Sequence, residues 1–263
     1  MSNAADARII RAGHLASRVP AASRPLTFYV SLVDLQLALL DTYGGVIRPS
    51  TLFSDSLDFE AAADALPGLL TGLEGIAPPP VAAKAHALLQ ESHAEWRHLV
   101  HSYWNGDRSG EPLRQFIAEA LLQPFAEAVA RRERVAAVSD PEPGSADCPV
   151  CHDKPVVAVL REAAHGAKRS FVCGFCLTEW SAPRIGCAAC GETRFEQLAV
   201  YRADEILAGR IDACETCRTY VKTIDLTKDG TAVPVVDDIA TVTLDVWARE
   251  QGYTRLRPNL LRL

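Results

Sequence analysis

All eight cysteines of this 263-residue chain fall in CxxC pairs, and all four pairs lie in its second half: Cys148/Cys151, Cys173/Cys176, Cys187/Cys190 and Cys214/Cys217. A CxxC turn can set two sulfurs at the chelating distance of one tetrahedral metal ion, and a hairpin can bring a second turn opposite to complete the tetrahedron. No other feature restricts the fold as much. The N-terminus has no uninterrupted apolar core before a cleavage site, so it does not read as a secretory signal. The expected compartment is therefore the cytoplasm, where paired cysteines serve as thiolate ligands more readily than as disulfides.

The cysteine region is an internal duplication. Cys148-Pro-Val-Cys151 corresponds to Cys187-Ala-Ala-Cys190, and Cys173-Gly-Phe-Cys176 to Cys214-Glu-Thr-Cys217. Between the pairs, AVLR (158–161) aligns with AVYR (199–202), each arginine twelve residues before the next cysteine, and Thr178 coincides with Thr219. Each copy has the order CxxC, apolar strand, turn, returning segment, CxxC, which is a zinc-ribbon or rubredoxin-like unit. Sequential pairing puts Cys148, Cys151, Cys173 and Cys176 on one metal and Cys187, Cys190, Cys214 and Cys217 on a second. The competing arrangement interleaves the pairs, as cross-braced modules do. Duplication favours the sequential one, because copying the strand register should also copy a self-contained site. Zinc and iron both suit four sulfurs, and spacing does not separate them. Four protein ligands leave no open position for water, which disfavours hydrolytic metal catalysis.

The first half has no cysteine and its apolar residues recur at helical spacing. Ser23 caps a helix with Pro25 in its first turn and a stripe of Phe28, Leu32, Leu35 and Leu39, ending at Gly44-Gly45. Further helical stretches run through DFEAAADAL, from Pro78–Pro80 to Asn105-Gly106, and from Pro112, the last with a kink or break expected at Pro124. His86, His93, His98 and His101 lack the spacing of a zinc-protease helix and read as a solvated face, while Trp96, Tyr103 and Trp104 read as packing. The expected fold class is α+β: a helical domain (1–139), a linker (140–147), a first four-cysteine ribbon (148–186), and a second ribbon with a C-terminal helix (187–263).

The net charge of -6 argues against nucleic acid as a partner. The longest apolar run, FYVSLVDLQLALL, is interrupted by Asp34 and Gln36, so no membrane span is expected. Neither a nucleophile elbow nor a phosphate-cradling glycine loop is present, and a binding or assembly protein is expected rather than an enzyme.

The ordered run CPVC, CGFCLTEW, CAAC, ACETCRTYVK, VVDDIATVTLD and GYTR resembles the formate dehydrogenase accessory protein family, FdhE. The resemblance covers residues 148 to about 255. It implies a cytoplasmic, rubredoxin-like factor for assembly or activation of formate dehydrogenase, with the catalytic subunit as partner and two mononuclear metal ions, iron or zinc, on the eight cysteines. It also implies that Thr178, Glu179, Trp180, Tyr220, Asp237 and Asp238, which lie in the family's motifs, meet the partner. For Trp180 packing against its own ribbon is the competing reading, and for Asp237 and Asp238 it is stabilising a helix N-terminus. Alternative roles are an electron donor or thiol reductant acting on the partner's cofactor, and a nucleic-acid-binding zinc ribbon. A homodimer is compatible with all of these.

Overall fold

The computed structural model describes residues 2–133, 146–164 and 166–263. Among them, α1 (Ser2–Ala16), α2 (Ser23–Tyr43), α3 (Phe59–Asp64), α4 (Leu66–Ile76), α5 (Pro79–Leu88), α6 (His93–Trp104) and α7 (Pro112–Glu133) precede the cysteines. The strands are β1 (Pro155–Ala163), β2 (Gly166–Cys173), β3 (Glu179–Ser181), β4 (Leu198–Arg202), β5 (Gly209–Cys214) and β6 (Thr219–Asp225). Helices α8 (Pro234–Ala240) and α9 (Val242–Glu250) and a short β7 (Thr254–Arg255) follow. The chain divides into two compact units, one of residues 28–133 and one that joins residues 2–27 to the cysteine-bearing half. Most of the expected linker, residues 140–145, lies outside the described residues, as does His165 at the first hairpin tip.

In the helical unit, the buried stripe of α2 is Tyr29, Leu32, Val33, Gln36, Leu39 and Leu40, with Phe28 and Leu35 at its margin. Pro124 neither breaks nor ends α7, which starts at Pro112, twelve positions earlier, and continues to Glu133. Proline at this position removes the N–H that would bond the carbonyl of Ala120. The buried amide of Gln36 donates to that carbonyl instead, at 2.8 Å. A polar residue inside an apolar stripe is thus the partner of a carbonyl that proline strands. The stretch from Pro78 to Asn105 is two helices rather than one, because Ser92 forms a capping box with Glu95 that starts α6 afresh. His86, His93, His98 and His101 are exposed, His86 bonding Glu74 and His93 bonding Asp64. Tyr103 and Trp104 are buried, and Trp96 is half-buried with its N–H on Leu88 O.

In the other unit, each copy of the duplication folds as a three-stranded antiparallel ribbon, β1-β2-β3 and β4-β5-β6. The two ribbons are fused. β1 pairs in parallel with β6, Val157 beside Lys222 and Val159 beside Ile224, so all strands belong to one sheet of order β3-β2-β1-β6-β5-β4. Spacing predicts two separate modules because a hairpin pattern is local, whereas a parallel pairing between residues more than sixty positions apart leaves no local trace.

One sheet face is covered by α8 and α9, through clusters that include Val157, Val159 and Ile224 on one side and Ile211, Tyr220, Leu244 and Ala248 on the other. Helix α1, expected from the sequence to belong with the other helices, packs here as well: Arg11 reaches Asp237 and, at 2.7 Å, Asp229.

Between the two apolar clusters lies a buried charge network. Lys222, fully buried, faces Asp238 at 3.2 Å and also bonds Asp245. Arg255 bonds the same two carboxylates, at 3.0 Å to Asp245. Tyr220 donates to Asp245 at 2.8 Å and Asn259 to Asp238 at 2.8 Å. Two cations balance two anions. Burial drives the Lys222 ammonium down and Asp238 and Asp245 oppose that, while for Asp238 the Arg255 and Lys222 charges outweigh burial and hold it below the usual carboxylate range. Breaking such a set is costlier than never having built it. Lys222→Met is expected to lower unfolding free energy by about 3–5 kcal/mol in urea denaturation at fixed metal content, since Arg255 alone must then answer two buried carboxylates. A loss under about 1 kcal/mol would show that the network is not what joins helices to sheet.

Candidate metal centres

Each CxxC pair closes a tight turn of one design. The residue after the second cysteine adopts a left-handed backbone in all four: His152 (φ 58°), Leu177 (φ 57°), Gly191 (φ 74°) and Arg218 (φ 56°). Only Gly191 does so without steric cost. That conformation folds the chain back so that the N–H of His152, Gly191 and Arg218 donates to the carbonyl of Cys148, Cys187 and Cys214, at 2.9–3.0 Å. The N–H of Cys148 and of Cys187 in turn donates to Asp153 and Glu192, again in matching register. Backbone N–H groups then point at sulfur: Val150 to Cys148, Phe175 and Cys176 to Cys173, and Ala189 to Cys187, at 3.3–3.5 Å. Such donors stabilise thiolate.

The turns meet as sequential pairs. Cys148, Cys151, Cys173 and Cys176 form one quartet and Cys187, Cys190, Cys214 and Cys217 the other, with all sulfurs of a quartet within 4.8 Å of one another. In both copies the first cysteine lies nearest the fourth and the second nearest the third: 3.5 and 3.3 Å in the first quartet, 3.6 and 3.7 Å in the second. A tetrahedron with metal–sulfur bonds of about 2.3 Å has edges of about 3.8 Å, so the arrangement fits a single tetrahedral ion. These separations are far from the bonding distance of about 2.05 Å in a disulfide. Charge points the same way. Burial raises the Cys173 thiol and the neighbouring sulfurs add to it, Cys151 is raised by its bond with Cys148, and burial lifts Cys187 to about 12. Four thiolates together need a cation, which the eight cysteines are placed to hold.

The two quartets differ in access. Cys148, Cys173 and Cys176 are buried, whereas Cys190 is exposed and Cys187 and Cys217 are partly so. The first quartet is further held from outside: Arg257 bonds Asp153 at 2.9 and 3.1 Å and lies so close over Gly174 that a Cβ there would stand 2.4 Å from its Nε. Any larger residue at Gly174 of CGFC would have to displace the Arg257 side chain. The hydroxyl of Thr178 lies 3.1 Å from the Cys176 sulfur.

Of the residues the family motifs assign to a partner, Thr178, Trp180, Tyr220, Asp237 and Asp238 are buried. Each has a role inside the chain. Trp180 packs on Phe171 with ring centroids 5.8 Å apart, Tyr220 and Asp238 belong to the buried charge network, and Asp237 accepts from the Val233 N–H at the start of α8 and from Arg11. Burial leaves them little surface in this chain, and the internal roles are those that the competing readings of Trp180, Asp237 and Asp238 describe. Glu179 is half-exposed and binds Arg161 in a two-bonded pair at 2.7 and 2.9 Å, and also accepts from Ser170. The sequence reading missed Lys222, Asp245, Arg255 and Arg257. A signal for the first existed, since Lys222 lies between Tyr220 and Ile224 on one face of its strand, where a charged side chain stands out.

Helices followed by a duplicated ribbon with two four-cysteine sites define a metal-binding protein of zinc-ribbon type. Residues 147–184 match the family model of the FdhE central domain, and residues 185–262 that of the FdhE C-terminal domain. The cysteine-bearing half of the chain therefore belongs to the FdhE family. A protein FdhE homolog of Aquifex aeolicus (strain VF5) is 39% identical over 115 residues, which cover 43% of this chain and 41% of that protein. One of Yersinia pestis (strain Pestoides F) is 35% identical over 113 residues, covering 43% and 36%. The chain thus spans about two fifths of the length of these relatives. The crystal structure of the FdhE protein from Pseudomonas aeruginosa shares the fold with a TM-score of 0.73 at 23% identity, over 100% of this chain and 96% of that one. Among the described residues, no helix is long and apolar enough to cross a membrane.

Access predicts the order of metal loss. In the zinc-loaded chain a competing chelator should extract about one equivalent quickly and a second slowly, both faster as pH falls because protons compete for thiolate. Cys187→Ser should abolish the fast phase and spare the slow one. A fast phase that survives Cys187→Ser and disappears in Cys148→Ser would reverse the assignment.

Proposed function

We propose that the protein is an accessory factor for the assembly or activation of formate dehydrogenase, acting in the cytoplasm on the catalytic subunit and not itself an enzyme. The observation that carries this reading is the pair of closed sulfur quartets within an FdhE-family half. Four protein ligands per ion leave no coordination position for a substrate, so the metals serve to hold a surface. Cys148, Cys151, Cys173 and Cys176 hold one ion and Cys187, Cys190, Cys214 and Cys217 the other, zinc or iron. Bound metal supplies folding energy to ribbons that are too small to fold on apolar burial alone. The excess of acidic residues argues against nucleic acid as the partner.

Exposure of Cys190 favours one second reading, electron transfer through the second quartet to the partner's cofactor. That role requires iron and a reversible redox change, and a chain that matures its partner with zinc alone excludes it.

An anaerobic affinity capture with the tagged chain, in its own host grown under conditions that induce formate dehydrogenase, tests the main reading. The catalytic subunit is expected in the captured material, and Cys148→Ser is expected to lose it together with one metal equivalent. A metal-free, folded variant that captures the subunit as well as the parent would contradict the proposal.

A further inference from the structure

Exposed large apolar side chains gather on the second ribbon. Ile185 is 51% exposed, Phe195 74% and Val200 51%, and all three line one cleft of about 120 Å³ beside Cys187. The floor of that cleft is the sheet face, from Val200 of β4, the outer strand, across Asp212 of β5 to Val221 of β6. Among the described residues β4 pairs with β5 alone, so its other edge presents backbone donors and acceptors that no strand takes up. Native sheets generally blunt or cover an edge of this kind, and an open one flanked by apolar side chains is a template for another strand.

Charge narrows what fits. Val200 stands opposite Asp212 and Arg202 opposite Arg210, so two arginines face each other directly across β4 and β5. Like charges so placed repel. Arg210 is tied to Asp212 at 2.7 Å, and the buried Arg169 reaches the same carboxylate at 3.2 Å and the carbonyls of Pro183 and Gly186 at 3.3 Å. Among the described residues, the side chains of Arg184, on the rim of the cleft, and Arg202 make no hydrogen bond or ion pair, and both residues are exposed. Two arginines thus share one aspartate, and two more stand at the same edge of a chain whose net charge is -6. Arg184 and Arg202 remain unanswered.

We infer that this edge and cleft bind an extended, acidic segment of a partner protein, which adds to β4 as a further strand. Its backbone bonds the open edge, alternate apolar side chains enter between Ile185, Phe195 and Val200, and its carboxylates pair with Arg202 and Arg184. The inference deepens the accessory reading and rests on it for the identity of the partner, but its chemistry can be tested without that partner.

A displayed library of random short peptides, panned on the zinc-loaded full chain, is the test. Enriched peptides are expected to alternate apolar residues with Asp or Glu, and to slow hydrogen exchange at the β4 amides. They should bind Arg202→Glu at least about tenfold more weakly, while that variant keeps both metals and the parent's melting temperature. Absence of enrichment, enrichment of basic peptides, equal binding to Arg202→Glu, or displacement by an oligonucleotide would each overturn the inference. None of these results bears on whether the parent chain captures the catalytic subunit, so the two proposals fail separately.

Discussion

Convergence of four thiols on one point is the constraint from which the rest of the cysteine-bearing half follows. It demands tight turns, and the turns demand a left-handed residue after the second cysteine, which the chain supplies even where His152, Leu177 and Arg218 make it sterically unfavourable. Strain of about 1–2 kcal/mol at each of these positions is small beside the binding free energy of about 10–16 kcal/mol typical of structural zinc. A coordination site can therefore impose backbone conformations that local propensity would reject.

Two such ribbons side by side would still leave apolar faces open, and the parallel pairing of β1 with β6 closes them into one sheet. A single face then receives α8 and α9, and Lys222, Asp238, Asp245 and Arg255 fix where the helices sit on it. Buried charge contributes little net stability over an apolar alternative, but it penalises every other register of helix against strand. The opposite arrangement holds around the far edge, where among the described residues the side chains of Arg184 and Arg202 have no ion-pair partner and Phe195 and Val200 are exposed.

Fold class, the ribbon duplication and the grouping of cysteines into 148–176 and 187–217 were legible because each rests on spacing within about forty residues. Long-range features were not. Fusion of the ribbons, the docking of α1 through Arg11 and the rescue of Ala120 by Gln36 each join positions far apart in the chain, and only the folded arrangement shows why Gln36 lies in an apolar stripe. Family motifs pointed to Thr178, Trp180, Tyr220, Asp237 and Asp238 as partner contacts, with packing as the other reading of Trp180 and helix stabilisation as that of Asp237 and Asp238. A motif marks a residue that matters without saying whether it faces inward, and burial decides that these do.

The central claim is that each sulfur quartet is a closed, mononuclear metal site. X-ray absorption on the anaerobically purified chain, combined with elemental analysis, tests it most directly. The account predicts two metal ions per chain, each with four sulfur neighbours at about 2.3 Å and no light-atom ligand. Fewer than two ions, a metal–metal distance indicating a cluster, or oxygen or nitrogen in the first coordination sphere would contradict it.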